Sequence, residues 1–225
     1  MINQIQRALE RALQNQPGDF LLSTKQEDYL TYRISSELTN SNNISIIPTQ
    51  YNRYDIVEIN QTNNQISKII EAKYHYSSDF ANISKYGEKC TKNDYNKLND
   101  IQGQLTCEKY LLQFIVHFNE SHIREWTNHL NGNIFGFNED SKYFTYIHNK
   151  ALNRINPNLH FRNTNENIYN GNFSELYVNE INSFNLSLQY EGHCYFDLTD
   201  AIVRLTATEF HVPHEFHCFL WKIRN

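Results

Sequence analysis

Asp55, Glu71 and Lys73 are the residues of this chain whose types and spacing could do chemistry together. They lie on two runs with strand character, Arg53 to Asn60 and Gln65 to Tyr74, separated by the turn-forming Gln61-Thr62-Asn63-Asn64. With the turn centred on Asn63, antiparallel pairing sets Asp55 opposite Glu71, Val57 opposite Ile69 and Ile59 opposite Ser67 on one face. The other face then pairs Glu58 with Lys68 and Ile56 with Ile70, so one register satisfies both charge and apolar pairing. Directly opposed Cβ atoms are about 4.5–5.5 Å apart, and two carboxylates that close repel unless a cation lies between them. A hard divalent ion such as Mg²⁺, which takes one or two protein carboxylates and keeps positions for phosphate oxygens, is the natural occupant. Lys73, two residues beyond Glu71 on the same face, could orient or deprotonate a water and stabilise charge developing at phosphorus. A lowered Lys73 pKa beside a metal would favour the base role. The plain alternative is a solvated ion cluster on an exposed strand end.

The elements that must position these groups are legible on both sides of the hairpin. Ile2, Ile5, Leu9 and Leu13 stand at helical spacing ahead of Pro17-Gly18. A second helix is predicted from Thr24, where Thr24-x-x-Glu27 reads as a capping box and Leu30, Ile34 and Leu38 form the apolar stripe. Ile44 to Ile47 reads as a short strand stopped by Pro48, which with the hairpin makes a three-stranded meander. A helix over Asp94–Cys107 and an apolar strand over Lys109–Phe118 follow. Beyond these the pattern is weaker: a helix over Ser121–Leu130, a strand over Tyr143–His148, a polar loop over Asn153–Asn172, a helix over Asp197–Ala207 and a strand over Glu215–Ile223.

Tyr54-Asp55 and Glu71-Ala72-Lys73, set in a hairpin followed by a helix and a buried strand, resemble the PD-(D/E)xK nuclease superfamily over Thr24 to about Phe118. The resemblance implies an α/β (α+β) fold of restriction-endonuclease type, a central mixed β-sheet flanked by helices. It also implies Mg²⁺-dependent phosphodiester hydrolysis giving 5′-phosphates, with Asp55, Glu71 and the main chain of Ala72 as metal ligands and Lys73 as the catalytic lysine. Tyr54 stands where the family usually has proline, which is not a ligand. An accessory glutamate on the preceding helix is expected at Glu27, with Glu37 the other candidate. Gln102 and Gln104 fall where relatives place polar groups near the scissile phosphate. A chain of this size resembles type II restriction endonucleases, which implies a homodimer acting on double-stranded DNA at a palindromic, here A·T-rich, site. A repair or junction-resolving nuclease of the same superfamily, or a non-catalytic DNA-binding scaffold, are the other readings.

Composition bounds these expectations. The 225 residues suit one domain, with a catalytic core over 24–118 and residues 119–225 assigned to dimerisation and DNA recognition. The apolar fraction of 40% is that of a chain that folds. A net charge of −5 argues against binding nucleic acid by bulk positive charge, but a nuclease that gathers carboxylates around a metal escapes that argument. Arg154 and Arg162, in the polar loop with His160, are candidate DNA contacts, and Lys85, Lys89, Lys92 and Lys97 could touch phosphates or form a solvated helix face. His193-Cys194 and His214-x-x-His217-Cys218 match no well-defined zinc spacing, so no zinc is expected. Four scattered cysteines read as reduced thiols, and without a secretory leader or a membrane span the expectation is a bacterial cytoplasmic protein.

Overall fold

A strand that is apolar on both faces must be covered on both. That strand is β5 (Glu108–His117), buried along almost its whole length. The computed structural model describes residues 1–14, 26–40, 45–46, 49–51, 54–76, 86–100, 107–117, 173–198, 202–205, 208–211 and 214–224. In chain order these carry α1 (Ile2–Leu13), α2 (Glu27–Asn40), β1 (Ser45–Ile46), β2 (Thr49–Tyr51), β3 (Tyr54–Asn60), β4 (Gln65–Tyr76), α3 (Tyr86–Asn99) and β5. After β5 come α4 (Phe173–Ser183), β6 (Leu188–Leu198), β7 (Ile202–Leu205), β8 (Thr208–His211) and β9 (His214–Ile223).

The main sheet has the order β1-β3-β4-β5-β9-β6, with β2 also paired to β3. Among the described strands of this sheet only β4 and β5 run parallel, joined by the crossover that contains α3, and the other pairings are antiparallel. This is the expected mixed sheet flanked by helices, an α+β fold. On one face, Ile5, Leu9 and Leu13 of α1 and Leu30, Ile34 and Leu38 of α2 pack on Ile56, Ile70, Ala72, Leu112, Phe114 and Phe216. On the other, Leu98 of α3 and Phe173, Tyr177 and Ile181 of α4 pack on Ile69, Leu111, Ile115, Phe219 and Trp221. The helical stripes predicted for α1 and α2 are the buried ones, except that Ile2 at the start of α1 is only partly buried. Glu37, itself buried, ties these two helices together through Arg7 at 3.5 Å and Arg11 at 2.5 Å.

The hairpin holds its register in two steps. Asn64 takes the left-handed conformation at φ 53°, and Asn60 Oδ1 and Asn63 Oδ1 accept from the amides of Thr62 and Gln65, which closes the turn. Next to the turn Ile59 pairs with Ile66, not with Ser67 as the symmetric register predicts. A bulge at Ser67 then adds one residue to β4. The Ser67 hydroxyl lies 2.8 Å from Glu58 Oε1. From there on the pairs are Glu58 with Lys68, Val57 with Ile69 and Ile56 with Ile70, as expected.

Elsewhere the sequence misleads in specific ways. The helix predicted over Asp94–Cys107 begins earlier, at Tyr86, and ends at Asn99. Its buried positions are Gly87, Thr91 and Leu98, too few and too small to give an apolar period. The helix predicted over Asp197–Ala207 is instead the end of β6 and the strand β7, paired with β8. The run Ile202-Val203 is β-branched, and that preference outweighs the helical spacing of Leu198, Ile202 and Leu205. Helix α4 was not foreseen, although Phe173, Tyr177 and Ile181 stand at i, i+4, i+8. The boundary at residue 118 does not divide the sheet, because β9 lies against β5 and β6 against β9. The elements predicted over 121–130 and 143–148 and the loop over 153–172 lie outside the described residues. Among the described residues, no helix is long and apolar enough to cross a membrane.

Candidate active site

β4 runs on past the start of β3, and its edge there still has amides to satisfy. Alternate residues of a strand present their main chain to the same edge. Two of these amides are taken by carboxylates: Asp55 Oδ2 accepts from Ala72 N at 2.8 Å, and Glu27 Oε2 accepts from Tyr74 N at 2.9 Å. Asp55 reaches this place from the start of β3, where continuing the register sets it opposite Glu71. Glu27 reaches it from the first turn of α2, which the packing of Leu30, Ile34 and Leu38 lays across the sheet. Of the two candidate glutamates, Glu27 is therefore the one at the hairpin, and Glu37 is committed to α1. The Ala72 side chain is buried in the α1/α2 core, and its carbonyl leaves the strand on the same edge as its amide, beside Asp55.

Glu71 and Lys73 project to the opposite face, beneath α3. Glu71 is 4% exposed, and Lys97 of α3 reaches down to it with Nζ 2.7 Å from Oε1 and 2.7 Å from Oε2. Only the Oε2 contact has hydrogen-bond geometry, which leaves Oε1 a buried oxygen without such a bond. Burial pushes the Glu71 pKa up to about 7, with Asp55 adding to the effect and Lys97 opposing it. Asp94, one turn before Lys97 on α3, is pushed up to about 6, again chiefly by burial, with Glu27 and Asp55 raising it and Lys73 and Lys97 lowering it. Lys73 Nζ lies 3.5 Å from Glu27 Oε2. Burial draws the Lys73 pKa down, but Glu27 and Asp94 outweigh it and the net shift is upward. The carboxylates around Lys73 therefore favour its charged form.

Four carboxylates and two ammonium groups converge here, an excess of negative charge in a partly buried setting. This donor set suits a divalent cation: oxygen ligands only, a buried Glu71 oxygen that makes no hydrogen bond, and carboxyl groups whose proton affinities are raised chiefly by burial and further by one another. The Ala72 carbonyl adds a neutral oxygen of the kind Mg²⁺ accepts. Among the described residues no cluster of three or more His, Cys, Asp or Glu stands in metal-binding geometry.

Asp94 and Gln113 are the site residues that sequence reasoning missed. Gln113, 2% exposed, is the β5 neighbour of Lys73; its Nε2 donates to Thr91 Oγ1 of α3 at 2.9 Å and its Oε1 has no hydrogen-bond partner. A glutamine inside an otherwise apolar strand was the signal for it. Gln102, Gln104, Arg154 and Arg162 lie outside the described residues. His193 and His217 sit on the same sheet face, toward α4: His193 Nε2 and His217 Nδ1 are 2.9 Å apart, and His217 Nε2 is 3.0 Å from Glu215 Oε2. Cys194 and Cys218 pair across the same two strands, in the core on the opposite face. Comparison with known protein families, curated proteins and solved structures finds no match to this chain.

Proposed function

We propose that the protein is a divalent-metal-dependent endodeoxyribonuclease acting on double-stranded DNA, with Mg²⁺ as the working ion and a homodimer as the working unit. The observation that carries this reading is the convergence of Asp55, Glu71 and Lys73 from one hairpin, with Glu27 closing the edge of β4 beside them. Asp55, Glu71 and the Ala72 carbonyl would hold the ion. When bound, it would act as a Lewis acid on the scissile phosphate and bring a water within reach of neutral-pH attack. Lys73, kept protonated by Glu27 and Asp94, would stabilise the extra negative charge on the phosphate at the transition state. Glu27 sets the Lys73 ammonium against the strand edge and so fixes where that charge stands. A type II restriction activity at a palindromic, A·T-rich site is the most specific form of this reading.

The test is incubation of the protein with supercoiled plasmid, linear duplex and a four-way junction in Mg²⁺, with and without chelator. Discrete fragments from linear duplex support a site-specific endonuclease. Cutting confined to the junction points to a resolving enzyme of the same chemistry. No metal-dependent cleavage of any of the three overturns the proposal.

A further inference from the structure

Lys97 occupies the place on Glu71 where a cation would bind. Its Nζ is equidistant from the two carboxylate oxygens, 2.7 Å from each, which is a bidentate position. The stem enters from solvent: the Lys97 side chain is 38% exposed and that of Glu71 4%. The ammonium also lies 5.2 Å over the Tyr54 ring, next to Asp55 in the chain. Two cations cannot share one carboxylate face at that range, since like charges a few ångströms apart in a partly buried site repel by about the attraction either gains. The lysine has a flexible stem of four carbons and a rim position on α3, so it can withdraw without disturbing the strand that carries Glu71.

We infer that Lys97 is a tethered surrogate cation. It neutralises Glu71 while the metal is absent, is displaced when a divalent ion binds, and is then released at the rim to take a phosphate of the nucleic acid. The inference rests on the nuclease reading for the identity of the ion's site and of the phosphate. It assigns to Lys97 a positioning role that couples metal loading to substrate capture, so that the rim lysine is offered to DNA only by a loaded site.

The experiment is Mn²⁺ binding to the full chain without nucleic acid, followed by electron paramagnetic resonance, for the wild type and for Lys97→Gln, Lys97→Arg and Asp55→Asn. Removing the competing charge makes Lys97→Gln bind Mn²⁺ about tenfold tighter than wild type, a figure kept low because the lysine is partly solvated. The guanidinium fork grips a carboxylate more firmly than an ammonium, so Lys97→Arg binds Mn²⁺ more weakly than wild type, and this arm decides the matter if the glutamine variant does not fold. In Ca²⁺, duplex binding by Lys97→Gln shows a salt slope reduced by about one phosphate contact, and in chelator it matches wild type. Equal Mn²⁺ affinity across the Lys97 series, with binding lost in Asp55→Asn, overturns the inference and leaves the nuclease reading standing. Mn²⁺ binding that Asp55→Asn leaves unchanged, or that no form shows, overturns both.

Discussion

Asp55 accepts a hydrogen bond from the backbone amide of Ala72 at 2.8 Å, so the carboxylate proposed to hold a metal also finishes the edge of the strand that carries Glu71 and Lys73. One oxygen of Asp55 thus closes the strand edge of the same segment that carries Glu71 and Lys73. Glu27 repeats the arrangement two residues on, at Tyr74, and there its second duty is the Lys73 ammonium. Among the described residues, side chains thus take the place of a neighbour strand on this stretch, where β4 outruns β3.

Asp55→Asn separates the two duties. An asparagine oxygen can still accept from Ala72, so the melting temperature stays within about 2 °C of wild type. Losing the charge removes a proposed metal ligand, and Mg²⁺-dependent cleavage is expected to fall by about 100-fold or more. Thermal unfolding measured beside a plasmid-cleavage assay checks both halves. Cleavage that survives the substitution places the site elsewhere.

Glu71→Gln changes how the metal-free protein responds to pH. Its folded-state pKa of about 7 lies above the ordinary 4.5, so the native protein holds that proton more tightly than the unfolded chain. The wild type therefore loses stability as pH rises from about 4.5 to 7, and the glutamine variant, which does not titrate, lacks that loss. In chelator, Glu71→Gln gains on wild type between pH 4.5 and pH 8 by an amount on the order of 1–3 kcal/mol, reduced by the lost pairing with Lys97. Urea unfolding at the two pH values measures it. A difference that shrinks as pH rises is the contrary result.

The histidines near α4 respond in the opposite direction. Burial lowers the His193 pKa to about 4, helped by His217, and lowers His217 as well despite Glu215. With Glu215 ionised, His217 donates from Nε2 and accepts at Nδ1 from His193, so both rings are neutral in the native state. The unfolded chain binds protons more tightly here, and stability is lost as pH falls below about 6.5 toward 4. His193→Gln flattens that acid limb and leaves the change attributed to Glu71 in place. Unfolding midpoints at pH 5 and pH 7.5 distinguish the two groups.

Much of this geometry is legible in the sequence. The apolar stripes of α1 and α2, the hairpin and the buried β5 all follow one clear period, and Asp55, Glu71 and Lys73 could be aligned by counting from the turn. The parts that could not be read are those where site and core coincide. Helix α3 faces inward with Gly87, Thr91, Asp94, Lys97 and Leu98, because its lower side covers carboxylates and not only core, so the pattern resembles a solvated helix. The stretch after Leu198 showed helical spacing by accident, and pairing between strands is a non-local fact that local spacing does not encode. The bulge at Ser67 is likewise invisible in local spacing, since it is defined by the pairing of β3 with β4.

Gly192 marks a close approach where a side chain would press on α1. Its φ is +151°, it stands at the β6 bulge between Tyr190 and Gly192, where the pairing with β9 shifts by one residue, and a Cβ there would lie 3.1 Å from the Ile2 side chain of α1. Gly192→Ala should cost about 1–3 kcal/mol through backbone strain and displaced α1. Adding Ile2→Ala recovers only the steric share. Melting temperatures of the single and double variants test this, and an unchanged Tm in Gly192→Ala would contradict it.

The extra residue at Ser67 makes the function of the hairpin a question of parity. Between the turn and the bulge, the pairing would carry Asp55 to a place opposite Ile70, on the apolar side beneath α1 and α2. One inserted residue turns the count from odd to even and brings the carboxylate round to Glu71. The loop can accordingly drift in sequence, and even change length by two, without moving the chemistry. A change of one residue, in the loop or at Ser67 alone, would invert the hairpin and bury the acid in oil, whereas a matched pair of such changes would be silent.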